Sequence, residues 1–437
     1  MRGVVAGECA LGCRAVAEVQ PLETLRYEPS VVGSFDDVIA PPYDVIDDEL
    51  RAQLLARSPH NVVEIDLPVD PDGGDRYAHA AAKLAGWREE GAVVQEDEQA
   101  FWVLDQEYVA PDGSEQRRRG FFARVRVEDY GAGRIRPHER THPGPKEDRL
   151  NLTRATRANL SPIFSLFPDP SGAAKQALAE AAAAEPFASA TDHEGTRNTL
   201  WRVADPDQIA GLQAALADAE LLIADGHHRY ETARVYAQEI GGEGAHDYVL
   251  MFLCSLSDPG LTVFPTHRLL TGLKDDRAKQ EAIRDTLMRD FDVEQVERDA
   301  LEPSGDGSRV QLGYMDSFHR QPMLLTLKDQ SIADAALEGM PEPYRRLDTA
   351  VLEAIVLKGA LGMSEDDISH LRGLGYSKSF DDAVDAVETG RYDAGFFMRA
   401  TPVDQVREVA EAGESMPPKS TYFYPKIPTG LIFNLLQ

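Results

Sequence analysis

The sequence predicts a mixed α/β protein, because strand patterns and helix patterns alternate along its 437 residues. Residues 221–236, LLIADGHHRYETARVY, pass from an apolar run through a glycine into a helical pattern. Residues 101–130 read as a hairpin about a Pro-Asp-Gly turn, and residues 347–363 have the spacing of an amphipathic helix. We therefore expect mixed sheets with helices packed on them.

The composition argues against several classes of protein. The chain carries 45 basic and 74 acidic residues, and its net charge of −29 repels nucleic acid and anionic membranes. No apolar run approaches the ~20 residues of a membrane helix, and three cysteines do not make a disulfide framework. We expect a cytoplasmic protein that acts on a small-molecule substrate, with no nucleic acid and no membrane as partner. The oligomeric state stays open.

The remaining elements follow in chain order. The hairpin contains the run Arg117–Arg119, which we read as a solvated strand or turn. Residues 248–256 form a continuous apolar run and predict a fully buried strand. Other strands are expected at residues 38–40, 61–68, 198–203, 309–315 and 322–329. Other helices are expected at residues 47–58, 76–91, 147–159, 172–184, 205–219 and 275–290, and residues 381–413 read as helix, strand and helix.

Three segments are expected along the chain. Residues 1–18 read as a loose leader or as the product of a start codon placed too early. Residues 19–270 would hold the core with a large insertion. Residues 271–437 would form an α/β region that is either a smaller appended domain or wraps back on the core, and that contributes a terminal Lys/Ser/Thr loop to the site.

The main candidate site is the corner from Asp225 to Arg229. A helix that begins just past Gly226 places free backbone N–H groups and a positive dipole end beside His227, His228 and Arg229, which suits phosphate. Asp225 could hold a metal, orient a histidine or accept a proton. The alternative is an ordinary turn in which Asp225 caps the helix and the histidines are half-exposed loop residues.

Two further loops are candidates. Asp44 lies on a rigid loop between two prolines and a helix, where it is either an acid/base or metal ligand at the mouth of the site or part of a simple turn. Glu139, Lys146 and Arg149 belong to a stretch of positive charge that indicates a phosphate- or carboxylate-binding loop, with a surface loop as the alternative. The histidine spacing in that stretch is not a zinc signature, so we assign no metal ligand.

The second half of the chain adds two candidates. His267 and Arg268, at the end of a strand, are either a second phosphate contact or an ordinary surface pair. Lys419, Ser420 and Thr421, followed by Lys426, suit phosphate oxygens, and two lysines so close together are unusual in a chain that has ten. The alternative is a terminal strand with polar flanks that face water.

Five motifs together resemble the domain-of-unknown-function family 1015 over nearly all of the chain after Val19: APPYDVI, PKEDRLNLTRATRANLSPIF, ADGHHRYETA, DPGLTVFPTHRLL and MPPKSTYFYPK. Members of this family resemble ParB/sulfiredoxin-fold proteins at the D-G-H-H-R corner, which implies a ParB/sulfiredoxin-like core. Similarity to free serine kinases implies transfer of a phosphoryl group from ATP, ADP or pyrophosphate to the hydroxyl of free L-serine.

The expected chemistry is charge neutralisation and alignment. The corner would grip the donor phosphates, with Mg²⁺ bridging them, and Asp44 or Asp225 would take the proton of the acceptor. Arg149, Lys146 or Lys419 would hold a substrate carboxylate or the transferring group. A nucleotide-binding regulatory module, and a nucleotidase or phosphatase, are alternatives that use the same pocket.

Overall fold

The computed structural model describes residues 17–70, 73–110, 113–130, 134–138, 143–305 and 307–437. The expected leader therefore lies almost entirely outside the described residues. The strands of the described part are β1 (Val19–Gln20), β2 (Thr24–Tyr27), β3 (Val93–Gln95), β4 (Phe101–Val109), β5 (Glu115–Arg126), β6 (Ile135–Arg136), β7 (Ala158–Asn159), β8 (Ile163–Phe167), β9 (Ala188–Thr191), β10 (Arg197–Val203), β11 (Leu221–Asp225), β12 (Tyr248–Ser255), β13 (Thr262–Phe264), β14 (His267–Leu270), β15 (Phe291–Gln295), β16 (Gln311–Asp316), β17 (Met323–Leu327), β18 (Leu374–Ser377), β19 (Ala394–Phe397), β20 (Tyr422–Tyr424) and β21 (Phe433–Leu435).

The helices of the same residues are α1 (Pro29–Val32), α2 (Asp48–Arg57), α3 (Val63–Asp66), α4 (Arg76–Glu89), α5 (Pro143–Thr156), α6 (Ala173–Ala181), α7 (Pro206–Ala215), α8 (His227–Ile240), α9 (Arg277–Asp290), α10 (Gln330–Ala336), α11 (Glu342–Arg345), α12 (Asp348–Val351), α13 (Glu365–Ser369), α14 (Phe380–Glu388) and α15 (Val403–Glu411). A π-helical stretch, Leu352–Ala360, continues α12. None of the helices formed by the described residues combines the length and the apolar character needed to cross a bilayer.

A mixed sheet forms the centre of the first half. Within the described residues it has nine strands, in the order β6-β11-β8-β12-β5-β4-β10-β9, with β1 beside β5. β8 runs parallel to β12 and antiparallel to β11. Neighbouring residues of a strand face opposite sides, so Phe122 and Phe252 belong to the core on one face while Phe121 and Leu253 belong to the core on the other. The predicted mixed α/β class is confirmed.

The second half contributes a separate sheet and then returns to the first. The order β15-β17-β16-β19-β14-β18 is antiparallel throughout. Near the end of the chain, β20 pairs with β13, and β21 pairs with β2 and β7. The division into residues 19–270 and 271–437 stays a prediction, although β14 precedes the expected boundary and pairs in the second sheet.

Two expected strands are wrong. Residues 61–68 contain helix α3 instead, and residues 38–40 make only an isolated bridge to Thr429. The buried side chain of Asn61 explains the first difference, because its Oδ1 accepts the N–H of Val63 at 3.0 Å and starts a turn there. A local hydrogen bond therefore overrides the strand preference of an apolar, β-branched run.

Arg118 anchors the returning end of the chain to the central sheet. Its side chain is fully buried, and Nη1 donates to the carbonyl oxygen of Tyr424 at 3.2 Å while Nη2 donates to that of Pro425 at 2.5 Å. Its cross-strand partner Gln106 donates to the carbonyl oxygen of Lys426 at 3.1 Å. The expected solvated arginine run is thus wrong for its middle residue, because alternation along β5 turns that residue inward.

Replacing Arg118 with Met should lower the free energy of unfolding by about 2–4 kcal/mol, because two buried carbonyl groups lose their donors. Urea unfolding followed by circular dichroism measures this change. Arg197→Met, at an exposed position of β10, is the matched control and should change stability by less than ~0.5 kcal/mol. Equal effects of the two substitutions would contradict the anchoring role.

Candidate functional site

The corner between β11 and α8 turns through Gly226. Its φ is +93°, a left-handed conformation that glycine adopts without strain. A Cβ atom at this position would lie 3.0 Å from Nε of Arg229. Gly226 also has no side chain that could cap α8, so no side chain at the N-cap position accepts from the amides of the first turn. The positive end of the helix dipole lies there, beside the half-exposed His228.

His227 lies beneath the corner in a buried pair with His138. The two rings meet edge to face with their centroids 4.6 Å apart, and the backbone N–H of His138 donates to Nε2 of His227 at 3.3 Å. Nδ1 of His138 lies 2.5 Å from the carbonyl oxygen of Ile223, and its Nε2 lies 2.8 Å from the hydroxyl oxygen of Thr421. Burial lowers the pKa of His138 to about 4 and the pKa of His227 well below its usual value. Both rings are therefore neutral near pH 7.

Asp225 bridges two cations at the end of β11. One carboxylate oxygen lies 3.3 Å from Nζ of Lys426, and the other accepts from Nη2 of Arg229 at 3.1 Å. Burial raises the pKa of the Asp225 carboxyl, but the charges of Lys426 and Arg229 outweigh burial and hold this pKa well below its usual range. Arg229 also donates to the carbonyl oxygen of Pro162. Its guanidinium is therefore held inside the protein.

Lysines gather around Tyr422 next to this ion pair. Nζ of Lys378 lies 3.6 Å, and Nζ of Lys426 4.3 Å, from the centre of the Tyr422 ring. Although much of Lys378 is exposed, burial of its ammonium lowers its pKa to about 8; the charges of Lys426 and Lys419 also lower it, and Asp44 acts in the opposite direction. We call Lys378, Lys419, Lys426 and Tyr422 the lysine cluster.

Asp44 lies at the edge of the lysine cluster. It is exposed in a single 3-10 turn that follows two prolines, and its charge acts on the pKa of Lys378 and of Tyr422. The preceding residue, Tyr43, holds the turn in place because the guanidinium of Arg149 lies 4.1 Å from the centre of its ring. The charges of Asp44 and Asp225 both act on the pKa of Tyr422.

Arg149 lies behind this turn and not in the cluster. It is buried, and its Nη1 donates to the carbonyl oxygen of Asp66 at 2.6 Å and forms an ion pair with the Asp66 carboxylate at 3.3 Å. Together with Arg229 it lines a cavity of about 40 Å³, which has room for waters but not for a metabolite. Lys146 is half-buried on α5, and Glu139 lies outside the described residues.

Arg268 positions the loop that carries Lys419. It is buried, and its Nη2 donates to the carbonyl oxygens of Pro418 at 3.3 Å and Lys419 at 3.2 Å. Ser420 is also buried, and its Oγ donates to the carbonyl oxygen of Pro417 at 2.7 Å. The side chains of Arg268 and Ser420 therefore bind the backbone of the loop. Lys419, which belongs to this loop, is exposed.

The structure does not bring His267 to the cluster. The residue is fully buried, with its ring centroid 6.0 Å from that of Phe380 and 5.7 Å from that of Phe397. Its Nδ1 accepts the backbone N–H of Met398 at 3.1 Å, and burial lowers its pKa to about 4. These contacts give His267 a place in the packing of the second sheet.

The site thus differs in part from the corner that the sequence singles out. Of the expected residues, Asp225 forms an ion pair with Lys426, and the charges of Asp44 and Lys419 act on the pKa of Lys378. Lys378 and Tyr422 are not among the residues that the sequence predicts for the site. The chain has only ten lysines, and this scarcity is the sequence feature that would have indicated Lys378 as a candidate. No group of three or more His, Cys, Asp or Glu residues in the described part of the chain is arranged to hold a metal ion.

The fold and site define a mixed α/β protein with a cationic site in an acidic chain. The chain belongs to the family "Protein of unknown function (DUF1015)", whose model matches residues 19–350. No curated protein matches the sequence.

Several solved structures resemble part of the chain. A conserved hypothetical protein from Pyrococcus furiosus is 16% identical with a TM-score of 0.35, over 68% of this chain and 92% of that one. A free serine kinase in complex with AMP is 15% identical with a TM-score of 0.34, over 68% and 89%. SbnI with a C-terminal truncation, from Staphylococcus aureus, is 10% identical with a TM-score of 0.36, over 70% and 85%.

The buried histidine pair should make the protein less stable as the pH falls from about 6.5 to about 4. The folded pKa of His138 lies below its unfolded value of 6.5, so its contribution is complete above pH ~6.5 and is lost as the pH falls towards the folded pKa. The loss should be on the order of 3 kcal/mol for this residue.

Unfolding by urea at several pH values in this window measures that effect. In His138→Asn, the slope of the unfolding free energy against pH should decrease by up to ~1.4 kcal/mol per pH unit. The slope is the readout because the substitution also changes absolute stability. An unchanged slope would show that His138 titrates alike in the folded and unfolded chain.

Proposed function

We propose that the protein is a phosphotransferase that moves a phosphoryl group from a nucleotide or pyrophosphate to a small hydroxyl substrate, with free L-serine as the acceptor. The observation that carries the proposal is the lysine cluster beside the N-terminus of α8, with Asp44 at its edge. Phosphoryl transfer requires neutralised phosphate oxygens, an aligned acceptor and a base. The motif resemblance to free serine kinases supports serine as the acceptor.

Lys378 and Lys426 are placed to bind the donor phosphates. Both ammonium groups lie over the ring of Tyr422, and ammonium–phosphate hydrogen bonds are charge-assisted and therefore strong. Asp225 holds Lys426 at 3.3 Å, while Gln106 holds its backbone. The site is thus arranged before the donor arrives, which lowers the cost of reorganisation during transfer.

Asp44 serves as the base. Asp225 is a poor base because ion pairing holds its pKa well below its usual range. A carboxylate of this kind takes up a proton poorly. Asp225 and the neutral His227 act instead by positioning Lys426 and the corner. Asp44 is exposed and its charge acts on Lys378, so an acceptor bound beside the lysine cluster would present its hydroxyl to Asp44. Lys419 would bind the acceptor carboxylate.

Mg²⁺ would neutralise the donor phosphates when it is bound with them. This ion is commonly held by one or two protein carboxylates together with substrate phosphates and water, and a site of that kind needs no dedicated cluster of ligands. Glu194, an exposed residue whose charge, like that of Asp44, acts on Tyr422 and Lys378, would be one such carboxylate.

A screen of donors against acceptors tests the proposal. The protein is incubated with Mg²⁺, with ATP, ADP or pyrophosphate, and with L-serine or other small alcohols, and phosphoserine is detected by mass spectrometry. Product without an added alcohol would indicate a nucleotidase or phosphatase. Saturable nucleotide binding without any product would indicate a regulatory module, and would contradict the transferase.

Lys378→Met and Lys426→Met should each weaken donor binding about tenfold, because a charge-assisted hydrogen bond contributes roughly 1.5–3 kcal/mol and tenfold corresponds to about 1.4 kcal/mol. Calorimetry with ATP, ADP and pyrophosphate in turn measures the dissociation constant. Lys279→Met, which removes an exposed lysine of α9 paired with the helix-capping Asp276, is the matched control and should leave affinity unchanged. Unchanged affinity in both cluster variants would remove the donor site from the proposal.

Asp44→Asn should reduce turnover about 10²- to 10⁴-fold, the usual contribution of a positioned base. The donor dissociation constant should change much less, since the amide keeps the shape of the side chain. Stability should stay within ~0.5 kcal/mol because the residue is exposed. A variant that retains full turnover would assign the proton transfer to another group.

A further inference from the structure

A second group of cations lies on the opposite face of the central sheet. Arg117 and Arg119 flank the inward-facing Arg118 on β5, and alternation along the strand sends them to the other side. There they meet Lys175 of α6 and the turn that follows β12. We call the cavity of about 180 Å³ that is lined by Arg117, Arg119, Lys175, Ser255 and Ser257 the arginine pocket.

The arginines of this pocket are partly committed to one buried carboxylate. Nε and Nη2 of both Arg117 and Arg119 donate to the carboxylate of Asp105, which is 1% exposed. Neither Nη1 group has a hydrogen-bond partner among the residues that the structure describes. Asp105 carries one negative charge for the two guanidinium groups, and Glu107, opposite Arg117 on β4, lies exposed on the same face. The Nη1 groups remain as a concentration of cationic donors in the arginine pocket. In a chain with a net charge of −29, such a concentration is unusual.

Asp258 reduces this charge but does not cancel it. Its carboxylate is turned towards backbone amides, with the N–H of Gly260 at 2.9 Å and the N–H of Arg119 at 3.4 Å. Against this one carboxylate, the pocket lining has three cationic side chains: Arg117, Arg119 and the exposed Lys175. Cationic side chains therefore outnumber carboxylates among the residues that line the arginine pocket, while Asp105 and Glu107 flank it.

Two hydroxyl groups complete the donor set. Oγ of Ser255 lies 2.9 Å from Oγ of Ser257 and accepts the backbone N–H of Ser257 at 3.2 Å. Guanidinium, ammonium and hydroxyl groups are the donors that bind tetrahedral oxyanions, and the planar guanidinium fork matches two oxygens at once. A volume of about 180 Å³ is below the ~300 Å³ of pockets for larger ligands, so the expected ligand is small.

We propose that the arginine pocket is a second anion site, which binds a phosphate group either as inorganic phosphate or as part of a small phosphate monoester. It is separate from the lysine cluster because the central sheet lies between them. The turn at Asp258–Gly260 leads directly into β13, which pairs with β20 and so with Tyr422. The arginine pocket therefore borders a segment that reaches the lysine cluster.

Calorimetry on the full chain tests this site. Inorganic phosphate and glycerol 3-phosphate are titrated separately into the native protein and into the double variant Lys378→Met/Lys426→Met, which removes most of the charge of the lysine cluster. Binding that persists in the double variant supports the second site, and the tighter of the two ligands identifies the source of the phosphate group. Loss of all phosphate binding in the double variant would overturn the proposal.

Substitutions in the arginine pocket supply the reciprocal test. Arg117→Gln and Lys175→Gln, both at exposed positions, should each raise the phosphate dissociation constant of the double variant about tenfold. Arg277→Gln, which removes an exposed arginine of α9 paired with Glu281, is the matched control. Equal affinities in all three would overturn the proposal.

Hydrogen exchange gives a second readout. Phosphate should protect the amides of residues 255–260 in the double variant, and protection confined to other segments would also overturn the proposal.

Discussion

The attachment of residues 424–426 to the central sheet is the constraint on which the site depends. A guanidinium and an amide from adjacent strands bind three successive carbonyl groups of this segment. The guanidinium of Arg118 is fully buried and also lies 4.6 Å from the centre of the Phe164 ring. A buried cation is costly unless its donors are satisfied, so these hydrogen bonds hold the segment in one position. The position of Lys426 beside Asp225 is fixed as a result.

Two types of electrostatic environment lie side by side at the corner. Beneath it, burial keeps the imidazoles of His138 and His227 uncharged. Above it, the charges of Lys426 and Arg229 keep Asp225 ionised although its side chain is largely shielded. The neutral layer supports the backbone of the corner without adding charge, so the electrostatic field at the surface comes from the lysines and from the helix end.

The sequence predicted the mixed fold class, the hairpin of β4 and β5 and the strand-glycine-helix corner, because each rests on local periodicity and turn chemistry. It could not predict which polar side chains of the corner point inward. Arg229 and His227 find partners in Pro162 and His138, which are distant in sequence. Lys378 was missed for the same reason: its place over Tyr422 depends on the packing of two sheets and not on any local pattern.

The site draws on Asp44, Asp225, Lys378 and Lys426, which are spread over nearly the whole length of the chain. During synthesis on the ribosome, domains generally begin to fold from the N-terminus, and the central sheet can form before the last segment emerges. The cationic face is then absent until residues 419–426 dock. A nascent or prematurely terminated chain would therefore lack the complete lysine cluster even where much of its fold is in place.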